Sequence, residues 1–358
     1  MTTPDIRSPL ATMAATTRTA LWNDSSTPAE LEAAIGWGAV GATCNPVIAL
    51  AAIRADLPRW QARLTEIAHE RPTATESQLG WAVVEEVSLE AARLLLPAFQ
   101  GHRGRNGRLS MQTDPRLFRD AGALVAQAEH FSSLAPNIIV KIAATSVGIA
   151  AIEEATYRGI SVNVTVSFTV AQALAAGEAI ERGLARRDAD GEDTSSMGPV
   201  VTIMVGRLDD WLKAVVARDR LNVDPESLEW GGVAAFKRAY EVFTQRGLRA
   251  RLLAAAYRNE LQWTELVGGD VVLSPPFAWQ EVFQASGHDP VERMGVAVEP
   301  RLIEALASIP EFNRAYELEG LAREEFDSFG PTRTTLRQFL TADEELDQIV
   351  RDVLLPTP

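Results

Sequence analysis

The sequence of 358 residues carries 34 basic and 48 acidic side chains, and its formal net charge of −14 argues against nucleic acid or an anionic membrane as the main partner. The single cysteine, Cys44, excludes an intramolecular disulfide, and the four histidines are scattered without metal-ligand spacing. No run of about 18 apolar residues and no apolar core of a signal peptide within the first twenty residues is present, so we expect a soluble cytoplasmic protein.

Short apolar runs alternate with longer stretches in which apolar residues recur at helical spacing. Eight of the short runs are predicted strands, at residues 19–23, 39–44, 108–112, 138–142, 161–166, 200–205, 251–255 and 271–273. The helical patterns between them include residues 117–134, 147–158, 170–184 and 231–245. Eight strands that alternate with helices favour an α/β fold, and within it a single (β/α)₈ TIM barrel over an open sheet.

Three threonines are predicted to cap helices. Residues 27–30 (TPAE) form a capping-box pattern with proline at the first helical position, and residues 341–344 (TADE) form a second such pattern. Thr145 follows the fourth predicted strand and is placed to cap the next helix.

Two segments exceed a plain barrel. Residues 47–106 are predicted to be a helical insertion after strand two, and residues 277–358 a C-terminal helical extension over one end of the barrel. The polar segment 186–198 is predicted to be an exposed loop. Because there is no internal repeat and no interdomain linker, we expect one elaborated domain over residues 1–358, as a monomer or a homodimer.

Lysine is rare in this chain. Only three of the 34 basic residues are lysines, which leaves 34 − 3 = 31 arginines. Lys141 interrupts the apolar strand 138–142, where burial would lower the pKa of its amine and favour attack on a carbonyl. The alternative is a lysine that reaches water or pairs with Asp24. Lys213 and Lys237 lie in helical patterns and are predicted to be ordinary surface charges.

Polar residues stand at the carboxyl ends of the predicted strands, where a barrel places its active site. They are Asp24, Asn45, Gln112, Lys141, Thr165 and Thr202, and Arg207 and Arg258 follow strands six and seven. Each has a plainer interpretation. Asp24 suits the turn before Thr27, Arg207 has Asp209 and Asp210 as neighbours in the sequence, and either arginine alone would also suit a solvated surface. Cys44 is predicted to pack as a small apolar group.

Taken together, these segments resemble the transaldolase family, in its long bacterial form. They occur in the family's order, at residues 21–24 (LWND), 41–46 (GATCNP), 109–117 (LSMQTDPRL), 139–145 (IVKIAAT), 162–168 (VNVTVSF), 171–173 (AQA), 205–209 (VGRLD) and 256–259 (AYRN). The C-terminal segments 326–330 (FDSFG) and 335–339 (TLRQF) resemble the same family.

The resemblance implies class I aldol chemistry on one barrel, without a metal or an organic cofactor. Lys141 matches the family's Schiff-base lysine, Asp24 its acid/base aspartate, and Thr165 a threonine that helps to hold a catalytic water. A dihydroxyacetone unit from a ketose phosphate would remain on Lys141 and pass to an aldose phosphate. Such sugar phosphates are the expected partners.

The resemblance also implies how the substrate is bound. Two asparagines match residues that orient the lysine or the sugar hydroxyls, and two arginines match the phosphate-binding pair. The predicted substrate-binding residues are Asn45, Ser110, Asn163, Thr202, Met204, Arg207 and Arg258.

Two positions depart from the family pattern. Transaldolases carry glutamate at the end of strand three, where this chain has Gln112, and an aromatic residue at the end of strand six, where it has Met204. A glutamine can orient a water but cannot carry a proton in the useful range, so Asp24 and water would have to do the proton transfer. The related fructose-6-phosphate aldolases share the glutamine but pair it with a tyrosine at the strand-six position.

Three functions are therefore considered. The first is a transaldolase-type transferase, with Lys141, Asp24, Gln112 and Thr165 as its catalytic residues. The second, favoured by Gln112, is a fructose-6-phosphate-aldolase-like lyase or a transferase with a divergent sugar substrate. The third is a sugar-phosphate-binding protein without turnover, which would have no need of an amine in an apolar strand.

Overall fold

The computed structural model describes residues 8–356 and contains a closed barrel of eight parallel strands. Each strand pairs with its neighbours in the sequence, and the eighth pairs with the first. The strands are β1 (Ala20–Asn23), β2 (Ala39–Thr43), β3 (Arg108–Gln112), β4 (Ile138–Ala143), β5 (Val162–Thr165), β6 (Val200–Ile203), β7 (Arg251–Ala255) and β8 (Val272–Ser274). The predicted TIM barrel is confirmed.

Sixteen α-helices surround this barrel within the described residues. The first eight are α1 (Pro9–Thr16), α2 (Pro28–Gly36), α3 (Pro46–Ala55), α4 (Leu57–Glu70), α5 (Glu76–Gly101), α6 (Ala121–Leu134), α7 (Gly148–Tyr157) and α8 (Val170–Ala189). The others are α9 (Val205–Asp219), α10 (Pro225–Leu228), α11 (Gly231–Arg246), α12 (Leu261–Thr264), α13 (Phe277–Ala285), α14 (Pro300–Ala307), α15 (Pro310–Tyr316) and α16 (Gly330–Leu354). None of the helices in this part of the chain is long and apolar enough to cross a lipid bilayer.

A small apolar cluster fills the barrel interior. Trp22, Ile139 and Leu253 are its bulky members, and all three are buried completely. Gly41 on β2 leaves room for the indole, since a Cβ at this position would lie 2.4 Å from Trp22 Cε2. Side chains in layers thus plug the barrel below the polar residues at its carboxyl end.

The predicted insertion and extension are both helical and pack together. Helices α3, α4 and α5 occupy most of residues 47–106, and α16 packs against all three. Arg116, in the 3₁₀ turn Pro115–Leu117 after β3, lies 2.9 Å from Asp343 on α16. These contacts hold the last helix beside the carboxyl end of the barrel. The predicted single domain includes residues 1–7 and 357–358, which lie outside the described residues.

Several predicted boundaries were wrong. The TADE segment lies inside α16, because Phe339, Ala342 and Leu346 continue its buried face. Helix α6 begins at Ala121 and not at residue 117, since Asp120 caps it by accepting a hydrogen bond from Ala123 N at 3.0 Å. Helix α8 extends through residues 186–189, so the exposed loop is shorter than predicted.

The two other predicted caps differ in outcome. Helix α2 begins at Pro28 as expected, but the Thr27 side chain makes no capping hydrogen bond. The Thr145 hydroxyl accepts a hydrogen bond from Gly148 N at 2.9 Å, so it satisfies the first amide of α7.

Candidate active site

The strand register brings three of the predicted site residues into one layer of the barrel. Lys141 on β4 pairs with Gln112 on β3 and with Asn163 on β5. In a parallel sheet, side chains at paired positions point to the same face. Three of the predicted residues therefore lie side by side at the carboxyl end of adjacent strands.

Lys141 is almost completely buried, with 3% of its surface exposed. Burial lowers the pKa of its amine below the ordinary value of 10.5, and Arg207 lowers it further, while the nearby Asp24 raises it. The alternative of a lysine that reaches water is thus excluded, and the pairing with Asp24 is electrostatic. An amine in this environment releases its proton more readily than a surface lysine does.

Asp24 follows β1 and accepts a hydrogen bond at Oδ1 from the Thr43 hydroxyl on β2. The Thr43 oxygen also lies 3.0 Å from the Ser274 hydroxyl on β8. Burial raises the pKa of the Asp24 carboxyl, which Lys141, Thr43 and Arg207 lower in part. Burial thus favours the neutral form of both the acid and the amine, which suits proton exchange between them.

A chain of hydrogen bonds joins three of the predicted substrate-binding residues. Thr202 Oγ1 donates to Asn163 Oδ1 at 2.8 Å, and Asn163 Nδ2 donates to Ser110 Oγ at 2.9 Å. All three side chains are buried. The bonds fix the orientation of the Asn163 amide, and its second N–H has no hydrogen-bond acceptor among the described residues.

Gln112 Oε1 and Thr165 Oγ1 are buried atoms for which the described residues provide no hydrogen-bond partner. Buried polar atoms are satisfied in the great majority of proteins, so an unpartnered one points to a water or ligand. Gln112 lies in the layer of Lys141, and Thr165 lies two residues further along β5, toward the carboxyl end of the barrel. They are available to a substrate hydroxyl or to a water molecule.

Two arginines lie close together after β6 and β7. Arg207 is the third residue of α9; its Nη1 donates to Thr335 Oγ1 on α16 at 3.2 Å, while its buried Nε has no partner in the described chain. Arg258 Nε donates to Asp210 Oδ2 at 2.9 Å. Burial and the charge of Arg258 lower the pKa of Arg207. Two guanidinium groups beside the first turn of a helix suit a phosphate.

The other predicted site residues have structural roles as well. Asn45 caps α3, its side chain accepting a hydrogen bond from Ile48 N at 3.0 Å, and its amide nitrogen remains available. Met204 precedes α9 and is buried in the apolar core. Cys44 packs as predicted, and burial raises the pKa of its thiol to about 11, which makes it a poor nucleophile.

The model of the Transaldolase/Fructose-6-phosphate aldolase family matches residues 21–329. The chain belongs to this family. The predicted resemblance and the prediction of a transaldolase-like enzyme are confirmed at that level.

Individual relatives agree with the family match. The chain is 31% identical over 302 residues to a transaldolase of Thiobacillus denitrificans, which covers 77% of this chain and 81% of that protein. It is 30% identical over 299 residues to transaldolase 2 of Streptomyces avermitilis, with 72% of this chain and 79% of that protein covered. The match to transaldolase 1 of the same organism, at 32% identity, spans 60% of that protein's length.

Some residues of this transaldolase-family site were not predicted. Tyr257 follows β7, is buried, and has a hydroxyl without a partner in the described residues; burial and the Asp24 charge raise its pKa. Thr335 and Phe339 on α16 contact Arg207, the ring centroid lying 5.9 Å from the guanidinium carbon. Burial raises the pKa of Asp343, on the same helix, to about 7. The residues of α16 lie far from Arg207 in the sequence, so no local pattern predicts that they contact it.

The prediction that Lys237 is an ordinary surface charge was wrong. Its amine is buried and donates to Glu265 Oε2 at 2.8 Å and to the carbonyls of Arg293 and Val296 at 3.0 and 2.7 Å. With its donors fully used, this lysine is held as a structural ion pair. Lys213 is partly exposed and pairs with Glu229 at 2.6 Å.

Two residues at the carboxyl ends of strands have strained backbones. Val166 follows β5 with φ +52°, and Ala256 follows β7 with φ +62°. A left-handed conformation is uncommon for alanine and an outlier for a β-branched residue. Because each lies next to a candidate site residue, Thr165 or Tyr257, the strain is located where the barrel positions its polar groups.

Asp209→Asn is expected to raise the KM for phosphorylated substrates about 3- to 10-fold, with little change in kcat. The buried Asp209 carboxyl accepts hydrogen bonds from Gly232 N at 2.6 Å and from Gln262 Nε2 at 2.5 Å. Gln262 Oε1 in turn accepts from Arg258 N at 2.6 Å. An amide nitrogen at position 209 would face one of these donors and displace the arginine.

The readout is the ratio of KM values for fructose 6-phosphate and fructose. A positioning role for Asp209 requires that only the phosphorylated sugar is affected. The control is Asp219→Asn on the surface of the same helix, whose carboxylate pairs with Arg218 at 2.7 Å. An equal loss for both sugars would show that the substitution disturbs the whole barrel and not the arginine.

Proposed function

We propose that this protein transfers a dihydroxyacetone unit from a ketose phosphate to an aldose phosphate through a Schiff base on Lys141. The observation that carries the proposal is the buried amine beside the Asp24 carboxyl, in the same barrel mouth as the Arg207 and Arg258 pair. The family match supports this reaction class. A cytoplasmic location and a single-domain chain are parts of the same proposal.

The first half of the reaction uses the amine as a nucleophile. The neutral Lys141 amine adds to the C2 carbonyl of the ketose phosphate. The Asp24 carboxyl then gives its proton to the departing hydroxyl, which leaves as water, so that a protonated imine and the Asp24 carboxylate remain. The imine accepts the electron pair of the C3–C4 bond while the C4 hydroxyl passes its proton to Asp24. The aldose phosphate leaves, and the three-carbon enamine remains on the lysine.

The second half reverses these steps with another aldehyde. The enamine carbon attacks the acceptor carbonyl, Asp24 returns the proton to the new hydroxyl, and water hydrolyses the imine. The Gln112 and Thr165 oxygens are suited to orient that water, because each is buried without a partner among the described residues. The arginines would hold the phosphate end and so position the reacting carbon.

A second candidate is an aldolase that releases the three-carbon unit as free dihydroxyacetone. Gln112 favours it, because the related fructose-6-phosphate aldolases carry a glutamine at the same position. The Gln112 amide is also compatible with a transferase that acts on a divergent sugar substrate. A protein that binds sugar phosphates without turnover is the third candidate, and the buried amine of Lys141 argues against it.

The deciding experiment measures turnover of fructose 6-phosphate with and without erythrose 4-phosphate. We expect product only when the acceptor is present, and a three-carbon adduct on Lys141 after borohydride reduction. Release of dihydroxyacetone at the same rate without an acceptor would support the aldolase. Binding without adduct or turnover, across a panel of ketose phosphates, would support the third candidate.

A further inference from the structure

A second polar cavity lies at the opposite end of the barrel from Lys141. It has a volume of about 320 Å³ and is formed where β1 and β7 begin, beside the loop that follows α5. We call it the basal cavity. Its polar lining includes Arg18, His102, Arg105, Asn106, Arg251 and Asp270. The volume is at the lower end of the range of small-molecule sites, about 300–1,000 Å³.

Arg251, the first residue of β7, is the most buried cation of the basal cavity, with 8% of its surface exposed. Its Nη2 donates to the carbonyl of Arg105 at 2.8 Å and to Asn106 Oδ1 at 3.0 Å. Its Nε and Nη1 have no acceptor in the described part of the chain, and no carboxylate there pairs with it. Neither nitrogen is fully enclosed, so both are accessible from the basal cavity that Arg251 lines. A guanidinium group this deep without a paired carboxylate suits an anionic ligand.

Arg108, the first residue of β3, adds a second buried charge behind the cavity. It is 4% exposed, and its donors reach only carbonyls, that of Gly104 at 2.7 Å and that of Ser196 at 2.7 Å. Burial and the charge of Arg251 lower its pKa to about 10. Among residues 8–356 no carboxylate forms an ion pair with it. The two buried guanidinium groups therefore repel each other across this end of the barrel.

Asp270 is the one carboxylate in the described lining of the basal cavity, and it is already engaged. Arg105 Nη2 binds it at 2.6 and 2.7 Å, and Arg18 Nη2 lies 3.7 Å away. Arg18, Arg105 and Arg251 thus line the cavity with one carboxylate, and 3 − 1 gives a local charge of +2, to which the buried Arg108 adds from behind. In a chain of net charge −14, such an excess points to an anionic ligand.

We propose that the basal cavity is a second anion-binding site, which takes the phosphate group of a small metabolite or free orthophosphate. The open donors of Arg251 would bind the phosphate oxygens from the buried side. Arg18 and Arg105, which are exposed at the rim, would close over the other side. A phosphate suits this arrangement better than a carboxylate, because it offers oxygens to several guanidinium groups at once.

Binding there should stabilise the barrel without involving the catalytic face. The ligand would join the beginning of β7 to the segment before β1 and to the loop between α5 and β3. Because a ligand that binds only the folded state raises its stability by mass action, the melting temperature should increase with phosphate concentration. High salt should weaken the effect, since the rim arginines are exposed.

The test is titration calorimetry of the full chain with inorganic phosphate and, separately, with fructose 6-phosphate. The Arg207→Met/Arg258→Met protein removes the arginine pair at the catalytic mouth, so any remaining phosphate binding belongs elsewhere. We expect one saturable site in this protein, and loss of at least about tenfold in its affinity when Arg251→Met is added. Binding by both ligands would identify the phosphate group as the common determinant, and binding by one would identify its source.

Two further variants keep the test decisive if Arg251→Met unfolds. Arg18→Met and Arg105→Met change exposed side chains, with 76% and 57% of their surfaces accessible, and each should weaken the basal site while preserving the fold. The proposal is overturned if the Arg207→Met/Arg258→Met protein binds neither ligand. It is also overturned if binding to that protein is unchanged by all three substitutions in the basal cavity. Neither result depends on which reaction Lys141 catalyses.

Discussion

Lys141→Met should remove the borohydride-trapped adduct and lower kcat by at least about four orders of magnitude, while the melting temperature rises roughly 2 °C or more. Among the described residues, the Lys141 amine is the only group in the barrel mouth that is suited to form an imine, so no other residue there can replace it. Stability should rise because the surroundings disfavour the charged amine even with the attraction of Asp24 included, and methionine fills a similar volume without that charge. A loss of activity together with a gain in stability separates chemistry from misfolding.

The stability gain should depend on pH in a defined direction. Burial lowers the pKa of Lys141 below 10.5, so the unfolded chain binds this proton more tightly than the folded one. The wild type therefore gains stability as pH rises from the folded-state pKa of Lys141 toward 10.5. At any pH below the folded-state pKa, the protein bears the whole cost of burying the protonated amine. The difference in melting temperature between Lys141→Met and wild type should be largest at neutral pH and should narrow toward pH 10.

Two controls accompany this variant. Lys213→Met changes a partly exposed lysine and should retain adduct and turnover. Lys141→Arg keeps the charge but cannot easily lose its proton, so it should be as inactive as the methionine variant without the gain in stability. A three-carbon adduct that persists on Lys213 or Lys237 after Lys141 is replaced would contradict the assignment.

The barrel was predictable because most of its strands are short apolar runs, a pattern that is typical of buried strands. The third and seventh strands have the predicted bounds, and β4 differs by one residue. Burial on both faces imposes a nearly continuous apolar pattern on β4 and β7, whereas β3 alternates polar and apolar residues. Lys141 could be singled out for the same reason, as a charge within such a run. The first residues of helices were less predictable. Asp120 accepts a capping hydrogen bond and Thr27 does not, although both are residue types that commonly cap helices.

Contacts between distant segments could not be predicted. The position of α16 beside Arg207 depends on how the extension packs against the insertion, which involves long sequence separations. Lys237 appeared to be a surface charge because its partner Glu265 and the carbonyls it binds come from other parts of the chain. Likewise, nothing in the local sequence indicates that Arg108 and Arg251 meet at the base of the barrel.

Asp24→Asn should lower kcat about 10²- to 10⁴-fold and leave the adduct detectable after long incubation. The amide can still accept the Thr43 hydrogen bond, but it cannot take the proton of the C4 hydroxyl or return it. Because Asp24 raises the pKa of Lys141, its loss should lower that pKa further. A larger fraction of the Lys141 amine would then be neutral, but the reaction would still be slow, because no carboxylate takes the proton of the C4 hydroxyl during cleavage.

The pH profile distinguishes this role from a merely structural one. We expect Asp24 and Lys141 to be active when they hold one proton between them. Addition of a second proton at low pH, or loss of the remaining proton at high pH, should therefore stop the reaction. Burial raises the pKa of Asp24 from 3.8 and lowers that of Lys141 from 10.5, so both limbs of the wild-type profile should lie between these values. Asp24→Asn should retain a single limb, set by Lys141 and moved to lower pH.

Asp219→Asn is the matched control, since that carboxylate lies on the surface of α9 and pairs only with Arg218 in the described chain. It should keep both limbs and the wild-type rate. A kcat for Asp24→Asn within threefold of wild type would transfer the proton role to another group, and the unpartnered hydroxyl of Tyr257 is the next to test. In that case Tyr257→Phe, and not Asp24→Asn, should remove one limb of the profile, because the pair with Lys141 would then consist of an amine and a phenol.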